Sequence, residues 1–547
     1  MRAADIIARS LEAHGVARAY CVPGESYLAL LDALHDSSVK LVVTRHESGA
    51  GFMAVAEAKV TGKPAVFMVT RGPGATNGSI AVHVAQQDAA PVVMLVGQVS
   101  REERTRGAFQ EVDYGQFFGG MAKAVFEINE GRKAAEIFAR AFRLAAEGVP
   151  GPVVISLPED MLDDEVEGEA LAPYPISHPH HGAGDAARLQ ALIDGAQSPI
   201  VLAGASFRGA RGAAALKRFA EAQRIPVAAT WKNQHVFDNS SPLYAGHLGF
   251  GNPARHKDAL AQADLVIAAG TRLGDVASLN YSFPTAPQPQ QTLVHIYPDG
   301  GPIGRVFRPD LGLIADPVPL FEELAQAPRV VSTARENWIS SVNGFIRDFM
   351  TFSSINPADG VDFGSVVAAL TRQAPKNCAI TLDAGNFATW VHRYWKMTPD
   401  NWLSGVNAGA MGYGVPSAVG TALADPSRTV LAFVGDGGVL MTGQELATAQ
   451  QYGAPIKVVI SDNGTYGTIR GHQERHYPGR VSGTDLRNPD FTAWAQAFGV
   501  PVVTLVLGDD IEAKVAEFMS HNGSAVLHVK SSREALSAFT TLSALRK

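Results

Sequence analysis

Residues 430–470 read VLAFVGDGGVLMTGQELATAQQYGAPIKVVISDNGTYGTIR. An apolar run ends in Gly435-Asp436-Gly437-Gly438, a helical stretch follows, and a second apolar run, VVIS, ends in Asp462-Asn463-Gly464. Two short strands, apolar on both faces and separated by a helix, belong in a parallel sheet. Both strands of such a unit end on the same edge, where ligands bind. Asp436 and Asn463 lie 27 positions apart, one strand–helix–strand unit, and are expected to converge there. Asp436 offers a hard anionic oxygen and Asn463 a neutral amide oxygen. Mg²⁺ takes few protein oxygens, together with diphosphate oxygens and water. The glycines let backbone N–H groups approach phosphates closely. The bland alternative is a Gly-Asp-Gly turn followed by an unrelated loop with a capping Asn.

The same alternation runs through the whole chain. KLVVTRHE, AVFMVT and PVVMLVG stand in the first third, IVLAG, DLVIAAG and LVHIYP in the middle, and AITLDAG beside the quoted stretch in the last. Amphipathic segments such as GRKAAEIFARAFRLAAEG lie between them. With 547 residues the chain exceeds one ordinary core, and at about 100–200 residues per domain three are expected. The predicted class is α/β, with three doubly wound parallel-sheet domains. A Pro-, Gly- and His-rich seam at 165–186 and a polar connection around 332–359 divide the chain into 1–165, 186–335 and 355–530, with a tail at 531–547.

Gross composition excludes several function classes. The net charge is −7 without a dense Lys/Arg tract, so neither nucleic acid nor an anionic membrane is an expected partner. No apolar run reaches the roughly 18–20 residues that span a bilayer. The start, MRAADIIARSLEAHGV, reads as an amphipathic helix rather than a signal peptide. Cys21 and Cys378 are the only cysteines and lie far apart, which argues against a disulfide framework or a zinc site and for a cytoplasmic protein.

The Gly-Asp-Gly turn, the helix bearing QELATA, the Asn and the following Thr465-Tyr466-Gly467 together resemble the thiamine-diphosphate enzymes. The resemblance implies Mg²⁺ held by the side chains of Asp436 and Asn463 and by the backbone carbonyl of Thr465. Asp462-Asn463 stands where the family usually has Asn-Asn. Gly435, Gly437, Gly438 and Tyr466 would border the diphosphate, as would Gly385, Asn386 and Phe387, although related synthases have Gln-His in place of Asn386-Phe387. In the first third, Arg45-His46-Glu47-Ser48-Gly49 follows a strand. A Glu at the position of Glu47 hydrogen-bonds the cofactor's aminopyrimidine in this family and so assists loss of the thiazolium C2 proton. Asn407–Pro416 resembles the family's G-x-M-G-x-G-x-P loop. There Met411 would wedge between the cofactor's rings, and the Gly409 carbonyl would accept from its amino group, a proximity effect.

The resemblance spans essentially the whole chain and favours one branch. V-P-G-E, T-R-G-P-G-A-T-N, G-Q-V and A-F-Q-E-V-D are similar to acetohydroxyacid synthases, without the adjacent histidines of simple pyruvate decarboxylases. Phe109, Gln110 and Lys123 match residues in or near the synthase active site. Arg71 stands where synthases usually have Ser. It could grip a substrate carboxylate by a bidentate fork or make an ordinary ion pair. His472 stands where synthases usually have a Trp that selects the second 2-oxo acid. The segments Gly270–Asp275 and HIYPDGGPIGR, with Asp299 and Arg305, resemble the part of the synthases that holds FAD. Neither contains a full G-x-G-x-x-G fingerprint, and the resemblance leaves FAD open.

The expectation is a carboligase of 2-oxo acids, the alternative a non-ligating decarboxylase or 2-hydroxyacyl lyase. The family further implies a homodimer or homotetramer whose active sites are shared between chains. The first domain would hold the pyrimidine, the last the diphosphate.

Overall fold

The structure, a computed structural model, describes residues 1–546. Among these residues lie three six-stranded sheets with parallel pairings throughout. The first orders its strands Lys40–Val43, Arg18–Cys21, Ala65–Val69, Val92–Gln98, Pro152–Pro158, Ala124–Glu127. The third orders Trp402–Gly405, Ala379–Leu382, Val430–Gly435, Ile456–Asp462, Ala525–Lys530, Val502–Leu505. Counted along each sheet's own chain, both follow 2-1-3-4-6-5, so the two outer domains share one topology. The middle sheet runs Leu311–Ile314, Thr292–Tyr297, Leu265–Ala269, Pro199–Ala203, Val227–Thr230, Tyr244–Leu248. That is 6-5-4-1-2-3, the order of dinucleotide-binding sheets.

The strands are buried because helices cover both faces. Every residue of Pro152–Pro158 and of Val92–Gln98 is buried. The helix Ala134–Ala146 buries Ala134, Phe138, Ala141, Phe142 and Ala145, the spacing of one helical face, against the first sheet. Cys21 and Cys378 are free and buried. No helix among the described residues is long and apolar enough to cross a membrane.

The stretch around 332–359, expected to be a polar connection, carries a 17-residue helix, Thr333–Phe349. Ser332 caps it by accepting from the Arg335 N–H, and Trp338, Ile339, Val342 and Ile346 form its buried face. Polar residues dominate this helix by count, yet its apolar positions fall on one side and pack on the middle domain.

The outer domains meet through the helices Glu47–Thr61 and Gly414–Ala424, whose small residues bring the backbones together. A Cβ on Gly420 would stand 2.5 Å from the Met53 carbonyl oxygen. An ion pair locks the contact. Lys59 Nζ lies 2.7 Å from Asp88 Oδ2 and donates to the Gly405 carbonyl at 2.7 Å, while the Asn407 N–H donates to Asp88 Oδ1 at 2.7 Å. Burial, opposed by Asp88, pulls the Lys59 ammonium down to about 8. Removing one partner of a buried pair costs about 3–5 kcal/mol, while replacing both with apolar groups costs far less. Lys59→Met is therefore expected to lower the thermal midpoint strongly, and Lys59→Met/Asp88→Leu to recover much of the loss. Simple additivity of the two single losses in the double variant would remove the pair from this role.

Candidate active site

In the third sheet, Ala379–Leu382 and Val430–Gly435 are its first and third strands lying side by side, the point where strand order reverses and a crevice opens at the strand ends. Register sets Gly435 beside Ser461, so Asp436 and Asn463 emerge from adjacent strands. A cavity of about 890 Å³ lies there. Its walls include Gly385, Asn386 and Phe387, the loop residues Gly409 and Met411, Gly435 through Gly438, and Asn463, Thr465, Tyr466 and His472. Every candidate residue of the third domain thus lines one chamber.

The oxygen donors are held by their neighbours. Asp436 begins the helix Asp436–Thr442 and accepts from the Gly437 N–H at 3.0 Å and the Gly464 N–H at 2.8 Å. Burial raises its carboxyl above the ordinary range despite these bonds. Asn463 Oδ1 accepts from the Thr465 N–H at 3.2 Å, which fixes the amide's direction. Arg533 Nη2, from the tail, donates to the Gly464 carbonyl at 2.9 Å and steadies the same turn. Asp462, the departure from Asn-Asn, faces the other way. Although burial works against it, hydrogen bonds from His528, Lys530 and Asn488 hold its carboxyl well below the usual range. Asn488 Nδ2 donates at 2.8 Å to both Asp436 and Asp462.

No group of three or more His, Cys, Asp or Glu side chains suited to a metal occurs among the described residues. The Asp436 carboxylate, the Asn463 amide oxygen and the Thr465 carbonyl are hard donors too few for a closed cage. They suit a cation that completes its shell with phosphate and water oxygens. The phosphate side fits as well. Side chains are excluded where the backbone must face the crevice: a Cβ on Gly437 would stand 2.5 Å from the Tyr466 ring, and one on Gly438 2.7 Å from Asp383 Oδ2.

Asp383, at the head of the segment that carries Gly385, Asn386 and Phe387, ties the chamber together. Its two carboxyl oxygens accept from the Gly412 N–H at 2.9 and 3.1 Å, anchoring the loop that carries Gly409 and Met411. Burial pushes this carboxyl up to about 6. Gly409 has φ +66° with open space where a Cβ would project, so its backbone faces the chamber bare. Phe387 packs on Phe363 and under Gly435, and Asn386 Oδ1 accepts from Thr468.

The candidates of the first domain stand apart: Glu47, Arg71, Phe109, Gln110 and Lys123 do not line this chamber. Glu47 opens the helix Glu47–Thr61, is buried, and accepts from Asn77 Nδ2 at 3.0 Å. His46 caps that helix by accepting from the Ser48 N–H. Glu445 Oε1 accepts from the Arg45 and His46 N–H groups at 3.0 and 3.1 Å, so the third domain of the same chain orients the turn bearing Glu47. Phe109 is 75% exposed, and Gln110 beside it holds φ +65° with its carbonyl against Gly72.

Two substrate-pocket candidates hold partners within the chain. The Arg71 guanidinium lies 2.9 Å from Glu25 and 2.6 Å from Glu159, both in its own domain, so its fork is spent on ion pairs. Lys123 Nζ donates to the carbonyls of Glu147 and Val149 at 2.7 and 2.8 Å, tying down the chain beyond the helix Ala134–Ala146. Local motif matches suggested both, and their partners are too distant in sequence to be seen there.

The tail was expected only as an appendage. It returns over the cavity, and Ala535, Leu536, Phe539 and Leu545 line it. Arg546 pairs with the buried Glu474 at 2.6 Å, and Leu536 packs on Gly471, both on the helix Gly467–His476 that carries the exposed His472.

Comparison with known proteins agrees with this arrangement. Residues 1–117, 186–324 and 383–529 match the family models described as thiamine pyrophosphate enzyme N-terminal TPP binding, central, and C-terminal TPP binding domains. A probable acetolactate synthase large subunit of Methanocaldococcus jannaschii is 31% identical over 97% of this chain and 92% of its own. The acetolactate synthase large subunit of Parasynechococcus marenigrum is 32% identical over 91% and 82%. The acetolactate synthase isozyme 2 large subunit of Escherichia coli is 30% identical over 97% and 95%.

Proposed function

Since the chain belongs to the thiamine pyrophosphate enzyme family, alongside the acetolactate synthase large subunits, we propose that it joins two 2-oxo acids. It would decarboxylate pyruvate or a similar donor and transfer the remaining acyl fragment to the carbonyl of a second. The observation that carries this reading is the chamber itself. Its lining combines oxygen donors for a metal-bound diphosphate, at Asp436, Asn463 and Thr465, with the aromatic side chains of Trp231, Phe250, Phe349 and Phe387.

Thiamine diphosphate, when bound, supplies a carbon nucleophile and a sink for the electrons of a breaking C–C bond. Asp436, Asn463 and Thr465 would hold Mg²⁺ against the diphosphate. Met411 and the Gly409 carbonyl would face the cofactor's waist. Glu47, kept in place by Asn77 and the Glu445-anchored turn, would exchange a proton with the aminopyrimidine. Because Glu47 does not line the chamber of its own chain, that pyrimidine would be one bound to a second copy. The exposed loop with Phe109 and Gln110 would reach the same chamber from the same side. The apolar walls exclude water, and no pair of adjacent histidines stands in the family's decarboxylase position to protonate the donor fragment, which favours its capture by a second carbonyl. His472, exposed at the rim, would meet the second substrate.

The middle domain keeps a dinucleotide-type strand order, and no step is assigned to a flavin there. Arg272 donates to the Gln87 carbonyl of the first domain, and Asp299 accepts from the Gly301 N–H, so two of the residues implied for FAD have partners within the chain.

Holoenzyme given pairs of 2-oxo acids, with products resolved by mass spectrometry, tests the reading. A 2-hydroxy-3-oxo acid of the acetolactate type is the expected product. Free aldehyde alone would replace carboligation with simple decarboxylation.

A further inference from the structure

Of the three Lys and Arg side chains that line the chamber, Arg393 donates to the Phe349 and Ala538 carbonyls and Arg475 is exposed, whereas Lys232 is buried, and the functional reading uses none of them. Lys232, from the middle domain, lines the cavity and is 3% exposed. Its backbone holds φ +63°, a conformation that a residue with a side chain adopts at a cost and that clusters where a side chain must be aimed. The path of the side chain is built in from the third domain. A Cβ on Gly405 would stand 2.7 Å from Lys232 Cδ, so the absence of a side chain there makes the groove in which the lysine stem lies. Gly405 leads directly into Val406, Gly409 and Met411, which line the same chamber, so the amine reaches the base of the loop expected at the cofactor's waist.

One hydrogen bond holds the head group, and the network behind it determines its direction. Gln234 Nε2 donates to the His392 carbonyl at 2.8 Å, which leaves Gln234 Oε1 as the acceptor for the His392 Nδ1–H. His392 is therefore the Nδ1–H tautomer, and its Nε2 lone pair accepts from Lys232 Nζ at 3.2 Å. Burial, and then the nearby Lys232 and His247, hold His392 far below the ordinary imidazole range, in agreement with a neutral acceptor. Nζ also lies 4.7 Å from the centroid of the Trp231 ring, and with a single hydrogen-bond acceptor the head group keeps donor capacity in a chamber walled by Trp231, Phe250 and Phe387. In the salt bridges among the described residues Lys232 has no carboxylate partner.

We propose that Lys232 Nζ receives the carboxylate of the second, acceptor 2-oxo acid. This rests on the carboligase reading and names the group that recognises its acceptor. The donor is the poorer match. Its carboxylate leaves as CO₂, and a cation bonded to it would stabilise the ground state against that loss. The acceptor keeps its carboxylate through the reaction, so an ammonium there assists binding without opposing chemistry. The titration of the amine fits such a role. Burial first, and then the like charge of Lys59, bring Lys232 down to about 7, against the pull of Asp88 and Asp383. His392 and His247 complete the titratable groups around it. An amine near neutrality avoids a buried unpaired charge while the chamber is empty and takes up a proton when a carboxylate arrives.

The test uses oxamate, an inert isostere of a 2-oxo acid, titrated calorimetrically into the Mg²⁺–thiamine-diphosphate holoenzyme. At pH 8, where an amine of pKa about 7 is about nine-tenths neutral, wild-type binding should take up close to one proton per site, read by comparing two buffers of different ionisation heat. Lys232→Met, which keeps the stem in the Gly405 groove, should weaken oxamate by about a hundredfold, as expected for a lost buried charge contact. It should abolish the proton uptake and leave cofactor affinity unchanged. In turnover the variant should lose at least about tenfold in kcat/KM for a 2-oxo acid acceptor relative to an aldehyde acceptor given the same donor, mostly in KM. Lysine-dependent oxamate binding in an enzyme that forms no ligated product would overturn carboligation and leave the anion site standing. No proton uptake by the wild type, unchanged oxamate affinity in the variant, or equal losses for both acceptors would overturn the role of Lys232. The wild-type proton count supplies a second readout if the variant fails to fold.

Discussion

Asp436→Ala is expected to abolish cofactor retention while leaving a folded chain. The carboxylate is the one anionic donor in the proposed metal set, and Mg²⁺ coordination supplies several kcal/mol of charge stabilisation in sites of this kind. Without it the diphosphate would face Asn463 and the bare glycine turn with its charge poorly neutralised. The N–H groups of Gly437 and Gly464, which donate to Asp436, would also lose their acceptor, and Asn488 would keep only Asp462. Each such buried orphan costs about 1–3 kcal/mol, so the turn that presents Asn463 and Thr465 would loosen as well. A loss of about a thousandfold in thiamine-diphosphate affinity corresponds to only about 4 kcal/mol. Fluorescence or calorimetric titration with cofactor and Mg²⁺ measures it. Wild-type affinity in the variant, or full wild-type activity in a chelator, would remove the metal from the site.

The third domain shows why part of this site was legible in the sequence. Gly-Asp-Gly and Asp-Asn-Gly each end an apolar strand, and neighbouring parallel strands must deliver their C-terminal ends to one edge, so Asp436 and Asn463 had to meet. The α/β class followed from the same alternation. What escaped depends on contacts between segments far apart in the chain. Asn488, which bridges Asp436 and Asp462, sits in a loop without periodicity. Lys232 becomes a chamber residue only because Gly405 of another domain makes room for its stem. Lys123 was matched to the active site by neighbouring motif letters and Arg71 was read as a carboxylate fork or an ion pair, but Glu25, Glu159 and the carbonyls near residue 148, which lie beside them in space, are too far off in sequence to be seen. The helix Thr333–Phe349 had a signal that was passed over. Ser332 is a good cap, and Trp338, Ile339, Val342 and Ile346 fall on one face, but the polar average of the segment concealed the stripe.

Glu47→Gln and Asp436→Ala chains, each expected to be inactive, should restore activity when co-expressed. Glu47→Gln alone should keep the fold and bind cofactor, yet slow exchange of the thiazolium C2 proton by the roughly 10²–10⁴-fold typical of a lost acid–base group. The reason to expect rescue is geometric. Glu445 of the same chain grips the Arg45 and His46 N–H groups, and the helices Glu47–Thr61 and Gly414–Ala424 pack backbone to backbone, so Glu47 cannot swing into its own chamber without breaking that contact. The chamber holding Asp436 and Asn463 then needs its carboxylate from elsewhere, and a second copy is the source proposed here. A two-fold arrangement gives two such chambers, each built from the first domain of one chain and the third domain of the other. In a mixed dimer one chamber carries both lesions and the other carries neither. Activity should return toward half the wild-type value per mixed dimer, in proportion to the mixed species formed. Differently tagged chains, purified sequentially, isolate that species and set the denominator. If mixed dimers are recovered intact and remain as inactive as either parent, the acid and the metal ligands must serve one chamber within one chain, and the packing at Glu445 must open to allow it.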